Sequence, residues 1–306
     1  MTLQPEVHGA GRLPVWLKRK IPLLGECSRI ESTVRKRGLH TICREGLCPN
    51  RAECYSKGKV TFMMLGDTCT RDCGFCSVEH GKPLPVDSGE PSRIADASRE
   101  LRLDHVIVTS VTRDDLSDGG ASQYADLIRC LKEIDPAPVV EVLVPDFRGD
   151  MDALQTVLDA RPDIFSHNIE TVRRLFGEVR KEADYDGSLS LLAEAGKRDR
   201  RIKLKSSMML GLGERTEEVI ETMKDLLGAG CHFAALGQYL RPGLDQVPVK
   251  AYIPPEDFAL LEKKGYEMGF LEVTAGPLVR SSYQENQIDR YLPDAPKQGP
   301  GQGGRI

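Results

Sequence analysis

Six of the nine cysteines stand in two triplets, Cys43-x4-Cys48-x5-Cys54 and Cys69-x3-Cys73-x2-Cys76, with only residues 55–68 between them. Thiolates at such spacing bind soft metals, so the pattern predicts two thiolate-held centres packed close together. A four-iron cubane needs an outer ligand on each iron, and each triplet is one ligand short. An open position is where a cluster does chemistry rather than store an electron. Zinc is the competing reading, but four-thiolate zinc sites pair C-x2-C with C-x2-C, and the gaps of the second triplet fit that poorly. Cys27, Cys130 and Cys231 stand alone and read as small buried hydrophobes.

The rest of the composition narrows the classes. Residues 1–20 are polar and interrupted by Pro5, Gly9, Gly11 and Pro14, which predicts no export signal. No run approaches the roughly 20 apolar residues of a membrane helix, so the expected setting is a reducing cytoplasm with free thiols. A formal net charge of -4, from 42 Lys+Arg against 46 Asp+Glu, supplies no basic field for nucleic acid. The basic patch at residues 197–205 reads as a solvated loop leading into a strand, ahead of the alternative of a site for an acidic partner.

Something must position the cysteines, and the 306-residue chain alternates two patterns. Short β-branched runs at 60–65, 105–111, 139–144 and 163–169 read as strands, and two more runs follow at 202–210 and 233–240. Amphipathic stretches at 121–134, 151–159, 189–195, 214–227 and 256–268 read as helices; in the first, Tyr124, Leu127, Ile128 and Leu131 share one face. Alternation of this kind implies parallel strands with right-handed crossovers. Six β/α units are fewer than a closed barrel's eight, so a partial, open α/β barrel is expected, with a doubly wound sheet still possible. The expected division is an N-terminal extension (1–59) carrying the first triplet, the barrel (60–279), and a C-terminal segment (280–306) whose end, 296–306, reads as disordered.

In parallel α/β folds the functional loops follow the C-terminal ends of the strands. Cys69, Cys73 and Cys76 follow the first strand, residues 112–115 and 118–120 the second, Pro145 and Asp146 the third. Asn168 and Glu170 end the fourth, Gly211, Gly213 and Glu214 close the fifth, and Gln238, Tyr239, Arg241 and Pro242 follow the sixth. Singly, each is ordinary turn chemistry. Together they outline a rim.

At the second triplet, Cys69-Thr-Arg-Asp-Cys73-Gly-Phe75-Cys76 resembles the signature of radical S-adenosylmethionine enzymes. That resemblance implies a 4Fe-4S cluster on three cysteines, its fourth iron chelated by S-adenosylmethionine, and a 5′-deoxyadenosyl radical as the reactive product. It also implies cofactor contacts from Phe75 and from the glycine-rich Gly211 and Gly213.

The first triplet is similar to the auxiliary-cluster motif of the lipoyl synthase family. The likeness continues through His40-Thr-Ile-Cys43, Thr112-Arg-Asp-Asp-Leu116, His167-Asn-Ile-Glu-Thr171, Gln238-Tyr-Leu-Arg-Pro242 and Gly276-Pro-Leu-Val-Arg280-Ser-Ser-Tyr283, over roughly residues 12–283. It implies a second 4Fe-4S cluster with Ser282 as fourth ligand, Ser281 being the close alternative. It further implies a transferase that inserts two sulfur atoms into a protein-bound octanoyl-lysine, the auxiliary cluster being the sulfur donor. The partners so implied are octanoylated carrier domains (a 2-oxoacid dehydrogenase subunit or the glycine cleavage carrier), a reductant such as ferredoxin or flavodoxin, and an iron–sulfur carrier protein. Asn168 and Glu170 are expected to meet the ribose or amino group of the cofactor, and Lys205 or Ser207 its carboxylate; hydrogen bonds tying strand ends together are an equal alternative. Arg241 and Arg280 hold loops or meet the carrier, while His40 and His167 read as structural.

Overall fold

The apolar face read on the first helical stretch is fully covered. Tyr124, Leu127, Ile128 and Leu131 are each 0% exposed, and burying a side chain of this size contributes roughly 1.5–3 kcal/mol. In the computed structural model, which describes residues 13–18, 28–134, 136–282 and 291–292, that helix is one of a layer around a twisted sheet. Cys27, the N-terminal stretch 1–12 and the tail 296–306 lie outside the described residues.

The strands are β1 (His40–Thr41), β2 (Thr61–Met64), β3 (Thr68–Cys69), β4 (Glu79–His80), β5 (His105–Ser110), β6 (Val139–Leu143), β7 (Ile164–Ser166), β8 (Lys203–Leu210), β9 (Phe233–Gln238) and β10 (Glu272–Gly276). The α-helices are α1 (Ser28–Lys36), α2 (Ile42–Glu45), α3 (Arg51–Ser56), α4 (Glu90–Leu101), α5 (Ala121–Lys132), α6 (Met151–Asp159), α7 (Phe176–Val179), α8 (Tyr185–Arg198), α9 (Thr216–Gly228) and α10 (Pro255–Met268). The main sheet runs β1-β2-β5-β6-β7-β8-β9-β10, an open order whose two ends are not joined. Every pairing from β2 onward is parallel, while β1 pairs antiparallel with β2.

The expected strands and helices of the six units are all present, and the partial barrel holds. Besides the short elements and those before the barrel, two longer ones were not anticipated. One is α4, whose only strongly apolar buried side chains are Ile94 and Leu101 and which opens on Pro91. The other is β10, a seventh parallel strand in which Val273 alone is buried. The segment before the barrel is also more tightly bound than an appendage: β1 extends the sheet, and Arg37, just past α1, grips Glu100 of α4 at 2.7 Å.

Alternation along β8 separates two environments. Leu204 faces the helices, within reach of Gly196 and Gly230. Lys205, one residue on, points into the barrel, where its ammonium donates to Glu141 Oε1 at 2.8 Å, with both side chains 1% exposed. Ser166 donates to the same oxygen at 3.1 Å, and His105 Nε2 stands 3.3 Å from Glu141 Oε2. Burial opposes ionisation of Glu141, but Lys205 and His105 override it and hold the carboxyl down at about 2.

His167 follows β7 and is 1% exposed, with Nδ1–H donating to the Val144 carbonyl at 2.9 Å. Desolvation, aided by the nearby Arg180 charge, depresses its pKa from 6.5 to about 4. The unfolded chain therefore binds a proton that the folded chain does not, and stability present above pH 6.5 declines as pH falls toward 4. Denaturant titrations of wild type should lose on the order of 1 kcal/mol per pH unit from this group in that window. His167→Asn should flatten that slope; an unchanged slope would show that another group titrates there.

Candidate functional site

Each cysteine triplet is brought together by short local elements. Cys43 lies on α2 and Cys54 on α3, and Cys48 N donates to the Cys43 carbonyl at 3.1 Å, closing the first loop. Burial pushes the Cys43 thiol up to about 12 and the Cys54 thiol up to about 11, with neighbouring cysteines adding to both. The second triplet leaves the barrel at β3. Cys69 Sγ accepts from Arg71 N at 3.4 Å and Thr112 N at 3.3 Å, and Cys76 Sγ from Val78 N at 3.4 Å. Burial again dominates, raising Cys73 to about 12 and Cys76 to about 11, with Cys76 and Cys69 adding to the shift of Cys73 and Cys69 to that of Cys76.

Desolvated thiols that repel one another as thiolates lack a positive charge at their centre. Iron supplies it, so both triplets fit thiolate-held clusters. Among the described residues no three His, Cys, Asp or Glu side chains converge as ligands of a single ion. A four-iron cubane spreads its outer ligands over separate corners.

The two loops touch. Ser77, next to Cys76, donates its hydroxyl to the Glu45 carbonyl at 3.0 Å, two residues from Cys43. Gly74 packs between two other segments: its N–H donates to Val179 O at 3.0 Å, and its carbonyl accepts from Val247 N at 2.7 Å. A Cβ there would meet Glu178 O at 3.0 Å and Val247 Cγ1 at 3.1 Å.

Arg71, inside the second triplet, was not singled out from sequence and proves central. Its side chain is 4% exposed and forks onto Asp114 (2.6 and 2.9 Å) and Asp146 (both 2.7 Å). Burial would raise Asp146, but Arg71 and the Arg148 amide hold it down at about 2. The rim aspartates expected after the second and third strands are thus pinned to the cysteine loop. Arg113 is engaged with Asp115 at 2.8 Å.

At the fourth strand, Asn168 Nδ2 donates to Glu170 Oε1 at 3.0 Å. Glu170 adopts φ +66°, unfavourable for a side chain of its size, and is held by main-chain bonds to Ser207 O (3.0 Å) and Met209 N (2.8 Å). Burial raises the Glu170 pKa, countered by Arg180. The charges of Glu170 and Arg180 also act on Cys73, which sets this strand end beside the second triplet. Arg180 was missed by sequence reading and carries no local signal; it donates to the Asn168 carbonyl at 2.8 Å and is 8% exposed.

The remaining expected residues divide. Ser207 is 7% exposed, two residues nearer the rim than Lys205 on the same face of β8. Lys205 itself lies below, its ammonium taken up by Glu141. Phe75 is partly buried against the core. Gly211, at φ +98°, could carry no side chain, because a Cβ would meet Gln238 Nε2 at 2.2 Å and Ala251 O at 2.4 Å. Its N–H donates to Glu214 Oε1 at 2.6 Å, while the Gly213 carbonyl accepts from Arg174 at 2.8 Å. Arg241 binds the Gln246 and Leu244 carbonyls of its own loop, and His40 stands 3.6 Å from Glu45.

The C-terminal segment crosses this site. Asn50, between Cys48 and Cys54, donates to Leu278 O at 2.6 Å. Val279 passes so close to β9 that a Cβ on Gly237 would lie 2.0 Å from its carbonyl oxygen. Arg280 donates to Val279 O at 2.7 Å and Gln238 O at 3.3 Å, and Cys48 acts on its charge. Ser281 donates to Asn168 Oδ1 at 2.8 Å, and Ser282, partly exposed, is the last residue described before 291.

Comparison with known proteins places the chain in a family. Residues 63–226 match the Radical SAM superfamily, and residues 3–48 match the N-terminal domain of lipoyl synthase of the Radical SAM family. A lipoyl synthase of Caldanaerobacter subterraneus subsp. tengcongensis is 50% identical over 89% of this chain and 95% of its own length. One from Thermus thermophilus is 50% identical over 90% of this chain and 86% of its own. Among solved structures, methylornithine synthase covers 86% of this chain and 83% of its own with a TM-score of 0.53 at 11% identity, a likeness of fold alone. No helix among the described residues is long and apolar enough to cross a membrane.

Proposed function

Since the chain belongs to the lipoyl synthase family of the radical S-adenosylmethionine superfamily, we propose that it inserts two sulfur atoms, at C6 and C8, into an octanoyl chain amide-linked to a lysine of a carrier domain. The observation that carries this reading is the contact of the two cysteine loops through Ser77 and Glu45, with the Arg280–Ser282 segment at their shoulder. A long alkyl chain between them would reach both centres. When bound, the cluster at Cys69, Cys73 and Cys76 would supply the electron that splits the sulfonium of S-adenosylmethionine, and the cluster at Cys43, Cys48, Cys54 and Ser282 the sulfur.

The chain's own work is holding and exclusion. Asn168 and Glu170 would meet the ribose or amino group of the cofactor, a reading supported by their bond to each other and by Arg180, which fixes the Asn168 backbone. Ser207, whose carbonyl accepts from Glu170 N, would serve the cofactor carboxylate with its hydroxyl; Lys205 is withdrawn from that role by its bond to Glu141. Phe75, Gly211 and Gly213 complete the cofactor face. Arg71 locks the second triplet's loop to two neighbouring strands, so that a radical is released into one geometry. The oxygen ligand assigned to Ser282 would be the most easily released of its four, because hydroxyl is harder than thiolate; the engagement of Ser281 with Asn168 favours Ser282 over its neighbour. Every described cysteine is a free thiol, which suits a reducing compartment with ferredoxin or flavodoxin as electron source and an iron–sulfur carrier for repair.

The test is anaerobic incubation with S-adenosylmethionine, a strong reductant and an octanoyl-lysyl peptide, followed by mass measurement. Gain of two sulfur atoms is expected. Accumulation of 5′-deoxyadenosine without sulfur gain would leave the radical chemistry standing and remove the lipoyl assignment.

A further inference from the structure

We propose that Ser281 is a positioning residue that couples cofactor binding to the seating of the C-terminal segment, through the Ser281–Asn168–Glu170 chain of hydrogen bonds. The proposal rests on the reading of Asn168 and Glu170 as cofactor-facing, and goes beyond it by giving a role to a residue that touches neither cofactor nor metal.

The geometry is a single directed chain. The Ser281 hydroxyl donates to Asn168 Oδ1 at 2.8 Å, and Asn168 Nδ2 donates to Glu170 Oε1 at 3.0 Å. A side-chain amide has two orientations of nearly equal shape, and only its partners choose between them. The Glu170 carboxylate can only accept, so it selects the orientation that turns Nδ2 toward it, and that orientation leaves Oδ1 for the Ser281 hydroxyl to donate to. Ser281 therefore holds the Asn168 amide in the orientation that Glu170 selects, and so restrains the group that faces the cofactor. The Asn168 main chain cannot yield instead, because its carbonyl is held by Arg180 at 2.8 Å and the following Ile169 N–H by Ser206 Oγ at 3.1 Å.

The other end of the chain is the segment that approaches the first triplet. Leu278 is tied to Asn50, Val279 passes over Gly237, and Arg280 is bonded to Gln238 O. Ser281 is the anchor that joins this stretch to the strand end beside the second triplet. A ligand that orders Asn168 must then favour the seated segment, and the seated segment must favour the ligand by the same factor.

The experiment uses full-length, anaerobically reconstituted protein carrying Ser281→Ala, Ser281→Thr, Ser281→Val or Asn168→Ala. Equilibrium binding of S-adenosylmethionine and amide hydrogen exchange across residues 278–282 are measured, the latter with and without the cofactor. Ser281→Ala and Ser281→Val are expected to weaken binding by roughly three- to tenfold, the worth of one net hydrogen bond, and to speed exchange. Ser281→Thr restores both, and in wild type the cofactor slows exchange in this stretch. Thr and Val are nearly the same shape, so their contrast isolates the hydroxyl even if the alanine variant folds poorly. Faster exchange with unchanged affinity, or a threonine variant no better than valine, overturns the coupling. Weakened binding in Asn168→Ala with none in Ser281→Ala or Ser281→Val overturns this proposal alone, whereas unchanged binding in Asn168→Ala overturns the cofactor reading together with it.

Discussion

Cys73→Ala is expected to abolish both 5′-deoxyadenosine formation and sulfur gain, whereas Cys54→Ala abolishes sulfur gain and leaves 5′-deoxyadenosine formation largely intact. The contrast follows from the two environments. Cys73 shares its electrostatic surroundings with Cys69, Cys76, Arg180 and Glu170, and Cys54 with Cys48, Glu53, Lys57 and Lys59. Each triplet is already one thiolate short of a cubane's four ligands, so losing another leaves two cysteines for four irons. Reconstituted wild type should carry about eight irons per chain, and each variant about four. Product analysis with iron quantitation checks this; loss of both activities in Cys54→Ala with eight irons retained would show that the triplets do not act as two separate centres.

The second large effect is on stability. Lys205→Met leaves the Glu141 carboxylate inside the barrel without its main countercharge, and removing one partner of a buried pair costs about 3–5 kcal/mol. The double variant Glu141→Leu with Lys205→Met removes both charges and should recover most of that loss, since well-packed apolar replacements of buried pairs are often neutral. Acidity provides an independent handle. In wild type the Glu141 pKa is depressed to about 2, so the pair's contribution is complete above the ordinary carboxylate range and is lost as pH falls toward 2. In Lys205→Met the sign reverses: burial favours the protonated acid, so its deficit against wild type shrinks as pH falls. Denaturant midpoints at several pH values read both effects, and a deficit independent of pH would place its origin in packing alone.

The contrast between Lys205 and Arg71 shows what the sequence could and could not reveal. Strands such as β6 and β9 are legible because consecutive buried positions demand β-branched or small residues over a short run. β10 escaped because a sheet edge needs only Val273 on its inner face, and α4 because alanines and a serine cover much of its contact. The cysteines were legible because their chemistry depends on local spacing. Arg71's partners lie 43 and 75 residues away, and nothing in a single chain says which aspartates close that fork. Lys205 sits on a strand leading to the rim, yet its side chain is directed by Glu141, 64 positions earlier. Residue type predicted a charge near the site; only the register of β6, β7 and β8 decided that it belongs to the barrel floor.

The bond from Asn50 to the Leu278 carbonyl joins positions 228 residues apart. During synthesis the amino-terminal half emerges first and begins to pack before the rest is made. Both cysteine triplets are therefore out of the ribosome well before the strip that ties to Asn50 and Asn168 exists. Until Leu278–Ser282 has been made, neither the tie to Asn50 nor the tie to Asn168 can form, so the cysteine loops pass through a stage that this strip does not restrain.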